Sequence, residues 1–185
     1  FFIVRGKNKK IWHNFKLKNT DVILSILQNT LSHRNLCISK DILLKSMKQS
    51  EFLKQQPDVN YGVDLIKKIE YVNLVDKYVF INKTVGYYIS GIGVSSQNIK
   101  KRTESESKTY SYLLSVTEKK YHNYIKFRIL SCKYSLNPFR FDLFVISIYM
   151  LFMSYFKNTD VQIIRNLKYL IPNFIFNSLK KIIYN

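Results

Sequence analysis

The chain of 185 residues contains no alanine. Alanine is the best helix former, and nothing in protein packing excludes it. Its absence therefore marks the gene rather than the fold. Phe, Ile, Lys, Asn and Tyr, whose codons are rich in A and T, crowd the chain instead. Acid is scarce as well: Asp and Glu total 12 against 30 Lys and Arg, a formal charge of +18. Self-repulsion at that charge opposes a compact state, so a polyanionic partner is expected: RNA, DNA or an acidic membrane surface. The few acids are isolated. Glu104 and Glu106 stand in a Ser-rich stretch, and no paired carboxylates or activated nucleophile are visible. No enzyme is expected, and no catalytic residue is assigned.

Cysteine is nearly absent. Cys37 and Cys132 have no second cysteine nearby, and His13, His33 and His122 are scattered. No CxxC, HxxxH or HExxH spacing exists, so neither a metal site nor a cofactor is expected, and both thiols read as reduced. Long hydrophobic runs are lacking too. The longest uncharged stretch, Leu143 to Phe156, spans about 21 Å as a helix, against the roughly 30 Å of a bilayer core. Asp142 and Lys157 close it. It reads as a helix buried nearly all round rather than a membrane span. Neither a signal peptide nor an amphipathic transit peptide is read in the sequence.

What is present suffices for a core, since 46% of the residues are hydrophobic. The segment Phe1 to Lys18 is a basic arm around Trp12 and Phe15, suited to lying on phosphates. Val22, Ile23, Ile26, Leu27 and Leu31 predict a helix capped by Asn19, Thr20 or Asp21. Ser39 caps a second helix holding Ile42, Leu43, Met47, Phe52 and Leu53, which Pro57 ends. Val63, Leu65, Ile66 and Ile69 predict a third, short one. Tyr71–Asp76 and Tyr78–Ile81 read as extended. Thr103–Ser111 reads as a polar loop. Thr117 is expected to cap the next helix, with Glu118 in its first turn. Asn137-Pro138 breaks the chain before the apolar helix. Val161, Ile164, Leu167 and Leu170 predict a last helical segment, continuing past Pro172 to Tyr184 and covering the apolar helix.

The segment between residues 83 and 102 carries the chemistry. Three of the 5 glycines fall in it, and Gly91-Ile92-Gly93 reads as a tight turn between two helices. Glycine permits the backbone angles of such a turn and lets a phosphate approach the amides. The helix that follows aims its free N–H groups at the same spot. Ser95 and Ser96 add hydroxyls, and Lys100, Lys101 and Arg102 add charge. Such a helix-hairpin-helix reads the nucleic-acid backbone rather than the bases. Lys77, Lys83, Lys119, Lys120, Arg140 and Lys157 complete the expected RNA-binding set.

The order of these features resembles the small-subunit ribosomal protein thirteen of the universal scheme, the bacterial-type protein of the subunit head. Tyr88-Ile89-Ser90-Gly91-Ile92-Gly93 is similar to that family's Tyr-Ile-Tyr-Gly-Ile-Gly turn. Val72-Asn73-Leu74-Val75-Asp76-Lys77 resembles its opening strand, without the proline. Val116-Thr117-Glu118, Phe139-Arg140-Phe141-Asp142 and Ser154 to Asn158 fall near the places of a Leu-Thr-Glu cap, a Leu-Arg-Arg-Glu stretch and a Tyr-Arg-Gly turn. The resemblance covers roughly residues 70 to 158. Thr159 to Ile164 stands where the family has a Gly- and Arg-rich tail toward the tRNAs. The resemblance implies a structural rRNA-binding protein of a diverged mitochondrial ribosome, in the matrix. Its implied partners are small-subunit rRNA, neighbouring ribosomal proteins and, across the interface, the large subunit. The expected fold is mostly α, a helix-hairpin-helix turn within a multi-helix domain. Its segments are a basic arm and helical extension (1–69), the ribosomal-protein-like domain (70–158) and a C-terminal helical segment (159–185). The competing expectation is a non-catalytic subunit of an organelle-encoded respiratory or ATP-synthase complex.

Overall fold

The computed structural model describes residues 21–28, 39–75 and 98–172. Among them the fold is mostly helical, without a strand. The α-helices are α1 (Val22–Leu27), α2 (Lys40–Lys45), α3 (Lys48–Gln55), α4 (Val63–Leu74), α5 (Ile99–Val116), α6 (His122–Leu136), α7 (Phe141–Lys157) and α8 (Ile163–Leu167), with 3-10 turns at Lys119–Tyr121 and Lys168–Leu170. The Gly91-Ile92-Gly93 turn, the Phe1–Lys18 arm, Tyr78–Ile81 and the stretch beyond Pro172 lie outside the described residues.

Helix α6 is the centre. It packs most broadly on α5 and α7, and its Tyr124, Ile125, Phe127 and Arg128 are fully buried. The three helices run antiparallel in turn. Glu106 of α5 meets Arg128 of α6 across one interface, and the Tyr134 ring lies tilted against Phe144 at 5.4 Å across the other. Helices α1 and α4 close the core with Leu24, Leu27, Leu65, Ile66 and Ile69, which join Tyr110, Leu113 and Leu151 in one cluster. Each such side chain contributes about 1.5–3 kcal/mol by leaving water.

Helix boundaries follow local chemistry. Asp21 caps α1, its carboxylate accepting from Leu24 N at 3.0 Å. Ser39 caps α2. The helix expected to run on from Ser39 breaks instead at Ser46–Met47. There the buried carboxylate of Glu70 accepts from Met47 N at 2.8 Å and Lys48 N at 3.1 Å, so a residue of α4 caps α3 from outside. Tyr71–Leu74, expected to be extended, continues α4, because Ile69, Glu70 and Tyr71 are buried on its inner face. Gly62 opens α4 at φ 78°, a conformation that only glycine adopts without strain, with the Thr109 side chain of α5 beside it.

Two further expectations are corrected. Thr103–Ser111 is not a loop but the middle of α5. Its hydroxyls turn back on the helix, Thr103 Oγ1 donating to Ile99 O at 2.8 Å and Ser111 Oγ to Ser107 O at 2.9 Å. Burial of Thr109, Tyr110 and Leu113 overrides the weak helix propensity of the serines and threonines. Thr117 closes α5 rather than opening α6: its hydroxyl donates to Leu113 O at 2.7 Å, and α6 starts at His122.

Helix α7 forms where expected but is not buried all round. Its buried residues are Ser147, Leu151 and Ser154, while Phe141, Val145, Ile146, Tyr149, Phe152 and Phe156 are exposed. Small serines on the inner face let α7 approach α6 closely, since interaxial distance follows the side chains at the contact. Leu151 is buried and Phe144, Ile148 and Met150 pack against the core, while those exposed groups are left outside. Of the described residues after α7, Val161 and Leu170 are buried, but Ile164, expected to face inward, is exposed.

Candidate nucleic-acid interface

Lys100, Lys101 and Arg102 occupy the first turn of α5. Asn98 caps that turn, its Oδ1 accepting from Lys101 N at 2.9 Å. This end borders an open groove of about 440 Å³ lined by Asp58, Asn98, Lys100, Lys101, Glu104, Ser105 and Lys108. Within it Lys108 Nζ lies 2.6 Å from Asp58 Oδ2. That bond holds the Asp58 carboxyl below its ordinary value. Lys100 and Lys101 are exposed, and neither enters an ion pair among the described residues.

Arg102 is engaged differently. Its Nε lies 2.8 Å from Glu106 Oε1, one turn along α5. Burial works against the Arg102 charge, yet the Glu106 carboxylate outweighs it and keeps the guanidinium above its ordinary value. Glu106 also accepts from Arg128 Nη2 at 3.3 Å. One carboxylate thus bridges a surface arginine and a core arginine.

The other expected cations lie elsewhere. Lys119 and Lys120 sit at the corner between α5 and α6, at the far end of α5 from Lys100. Eighteen residues of α5 separate the two ends, about 27 Å. Lys120 Nζ approaches Glu118 Oε2 at 3.3 Å and lies over the Tyr121 ring at 4.8 Å. Its bond to Tyr121 raises its ammonium to about 12. Arg140, before α7, grips Asp142 with two bonds of 2.8 and 2.6 Å. Lys157 is the exposed last residue of α7. The antiparallel order of α5, α6 and α7 therefore groups Lys100–Arg102 with Arg140 at one end, and Lys119 and Lys120 with Lys157 at the other. The described members of the expected set thus fall at two ends of the bundle. Lys77, Lys83, Gly91, Ile92, Gly93, Ser95 and Ser96 lie outside the described residues.

Sequence reasoning passed over Arg128. It is 1% exposed, its guanidinium 3.3 Å from the Tyr169 ring centroid and 4.9 Å from that of Tyr110. Its Nε and Nη1 have no hydrogen-bond partner among the described residues. Burial raises the neighbouring phenols of Tyr110 and Tyr124 above their ordinary values, with the Arg128 charge pulling them back. A second polar group ties α1 into the bundle. Tyr124 OH donates to Asn166 Oδ1 at 2.7 Å, and Asn166 Nδ2 donates to Gln28 Oε1 at 2.9 Å. Tyr121 OH donates to the Asp21 carboxylate at 2.9 Å. These groups satisfy one another and serve the fold. A lone Gln or Asn in the sequence carries no sign of such long-range pairing.

No family model, no curated protein and no solved structure matches the chain. At two of the places that carry the ribosomal resemblance the local structure departs from it: Val72–Leu74 is helical rather than a strand, and Thr117-Glu118 follows α5 rather than capping α6.

Proposed function

We propose that the chain is a structural rRNA-binding protein of the small subunit of a mitochondrial ribosome. It would hold backbone phosphates through its surplus lysines and through the Gly91-Ile92-Gly93 turn. The observation that carries this reading is the surplus of cations: among the described residues only Asp41, Glu51 and Glu104 are acids exposed without an ion pair, against a larger set of lysines. Asp58, Asp64, Glu106, Glu118 and Asp142 are each answered by a cation of the chain. Glu70 is spent on α3, and Asp21 and Asp160 on the α1 junction. Lys100, Lys101, Lys119, Lys126, Lys133 and Lys157 are exposed and, among the described residues, without an ion pair. Cations left over at both ends of a helical bundle suit a phosphate backbone that passes along it.

The reading as a respiratory or ATP-synthase subunit draws on the exposed apolar side of α7. Among the described residues, however, no helix is long and apolar enough to cross a membrane. It also gives no role to the surplus charge. Fractionation of the tagged full chain in its own cells separates the two. Co-sedimentation with small ribosomal subunits in high salt is expected. Retention in the membrane pellet after alkaline carbonate extraction would contradict the ribosomal reading.

A further inference from the structure

Helix α7 presents unlike faces to the bundle and to solvent. Phe141, Val145, Tyr149, Phe152 and Phe156 are 66%, 51%, 56%, 42% and 76% exposed. At 3.6 residues per turn these five fall within a sector of about 80°, opposite Ser147, Leu151 and Ser154. The sector holds no charge. An uncharged stripe of this length is a contact surface rather than scattered surface apolarity.

Its pattern is symmetric about the middle. Read inward from either end, the stripe gives Phe141 and Phe156, then Val145 and Phe152, with Tyr149 near the centre. A two-fold axis asks for that arrangement, because residue i must meet j while j meets i. The charges agree. Arg140 neutralises Asp142 at the start of α7, and Lys157 stands at its end, so an antiparallel copy sets each Lys157 near a neutral pair, whereas a parallel copy would set the two Lys157 together. At 150–250 Å² per aromatic side chain, the half-exposed stripe offers on the order of 500 Å² per copy. A pair then buries about 1,000 Å², the lower edge of specific interfaces.

We propose that α7 is a self-association surface on which two copies of the chain pair antiparallel about Tyr149. This does not rest on RNA binding, and its test uses RNA-free protein. Sedimentation velocity of the full chain, in roughly 0.5 M salt to screen the charge, should show the mass doubling from 22.1 kDa as concentration rises. Val145→Glu with Phe152→Glu, both exposed positions, should keep its helical circular dichroism yet stay a single copy at concentrations at least tenfold higher. In a Cys37→Ser background, Tyr149→Cys should cross-link to itself with a short bismaleimide, and Phe141→Cys should not. A single copy at every concentration overturns the proposal, as does self-linking of Phe141→Cys, which marks a parallel pair. Flotation of a monomer with anionic phosphatidylglycerol vesicles, abolished by Phe152→Glu, overturns it in favour of a lipid surface.

Discussion

Arg128 puts a charge where apolar packing would serve. Its contact with Glu106 and its place over Tyr169 recover part of the desolvation cost, but its Nε and Nη1 have no hydrogen-bond partner among the described residues. Replacing a buried ion pair by an apolar group of similar volume is often neutral or stabilising, whereas removing one partner outright is costly. Arg128→Ala is therefore expected to lose roughly 3–5 kcal/mol, through the cavity that the large buried side chain leaves. Arg128→Met keeps the volume, and Glu106 keeps Arg102, so it should lose about 1 kcal/mol or less. Urea titration of both variants decides this. Equal losses would mean that the guanidinium contacts hold the core more firmly than their geometry implies. At the same scale Cys132 is inert: burial pushes its thiol up to about 12, far from the reactive range.

Among the elements, α3 owes its start to a residue of α4. The Glu70 carboxylate takes up two of the free N–H groups at the N-terminus of α3 and faces its positive dipole end. Glu70→Gln keeps the shape but removes the charge, so a loss of about 1 kcal/mol is expected, concentrated in faster amide hydrogen exchange over α2 and α3. Uniform exchange across the molecule would refute this local role. Glu70 also explains where the sequence was legible and where it was not. Asp21, Ser39, Pro57 and Asn137-Pro138 act on their own neighbours, and the helix ends they mark stand in the structure. The break at Ser46–Met47 is imposed from more than twenty residues away and leaves no local signal. The polar run of α5 likewise gains its helix from burial of one side against α6. In α7 the length was legible and the orientation was not. Hydrophobicity assigned all the large side chains inward, whereas the inner face takes Ser147 and Ser154 beside Leu151 and leaves Phe141, Val145, Tyr149, Phe152 and Phe156 exposed. Of the candidate site, residue type was readable, but its division between two ends came from the antiparallel connections.

For the whole molecule, charge is unevenly spread. Nineteen of the 30 Lys and Arg fall within the described residues, together with eleven of the 12 acids. The helical bundle is thus only moderately basic. The remaining segments, the Phe1–Lys18 arm foremost, carry eleven cations against Asp76 alone. A polyanion would be held by the arm, the glycine-turn segment and the two basic ends of the bundle together. Every phosphate they neutralise releases a counterion, so affinity should fall steeply with salt. The direct test is the dissociation constant of the full chain for small-subunit rRNA, measured across a salt series. With six to ten phosphates contacted, affinity should drop by roughly three to five decades between about 50 and 200 mM salt. An affinity that stays flat over that range would contradict the claim that surplus charge binds the nucleic-acid backbone.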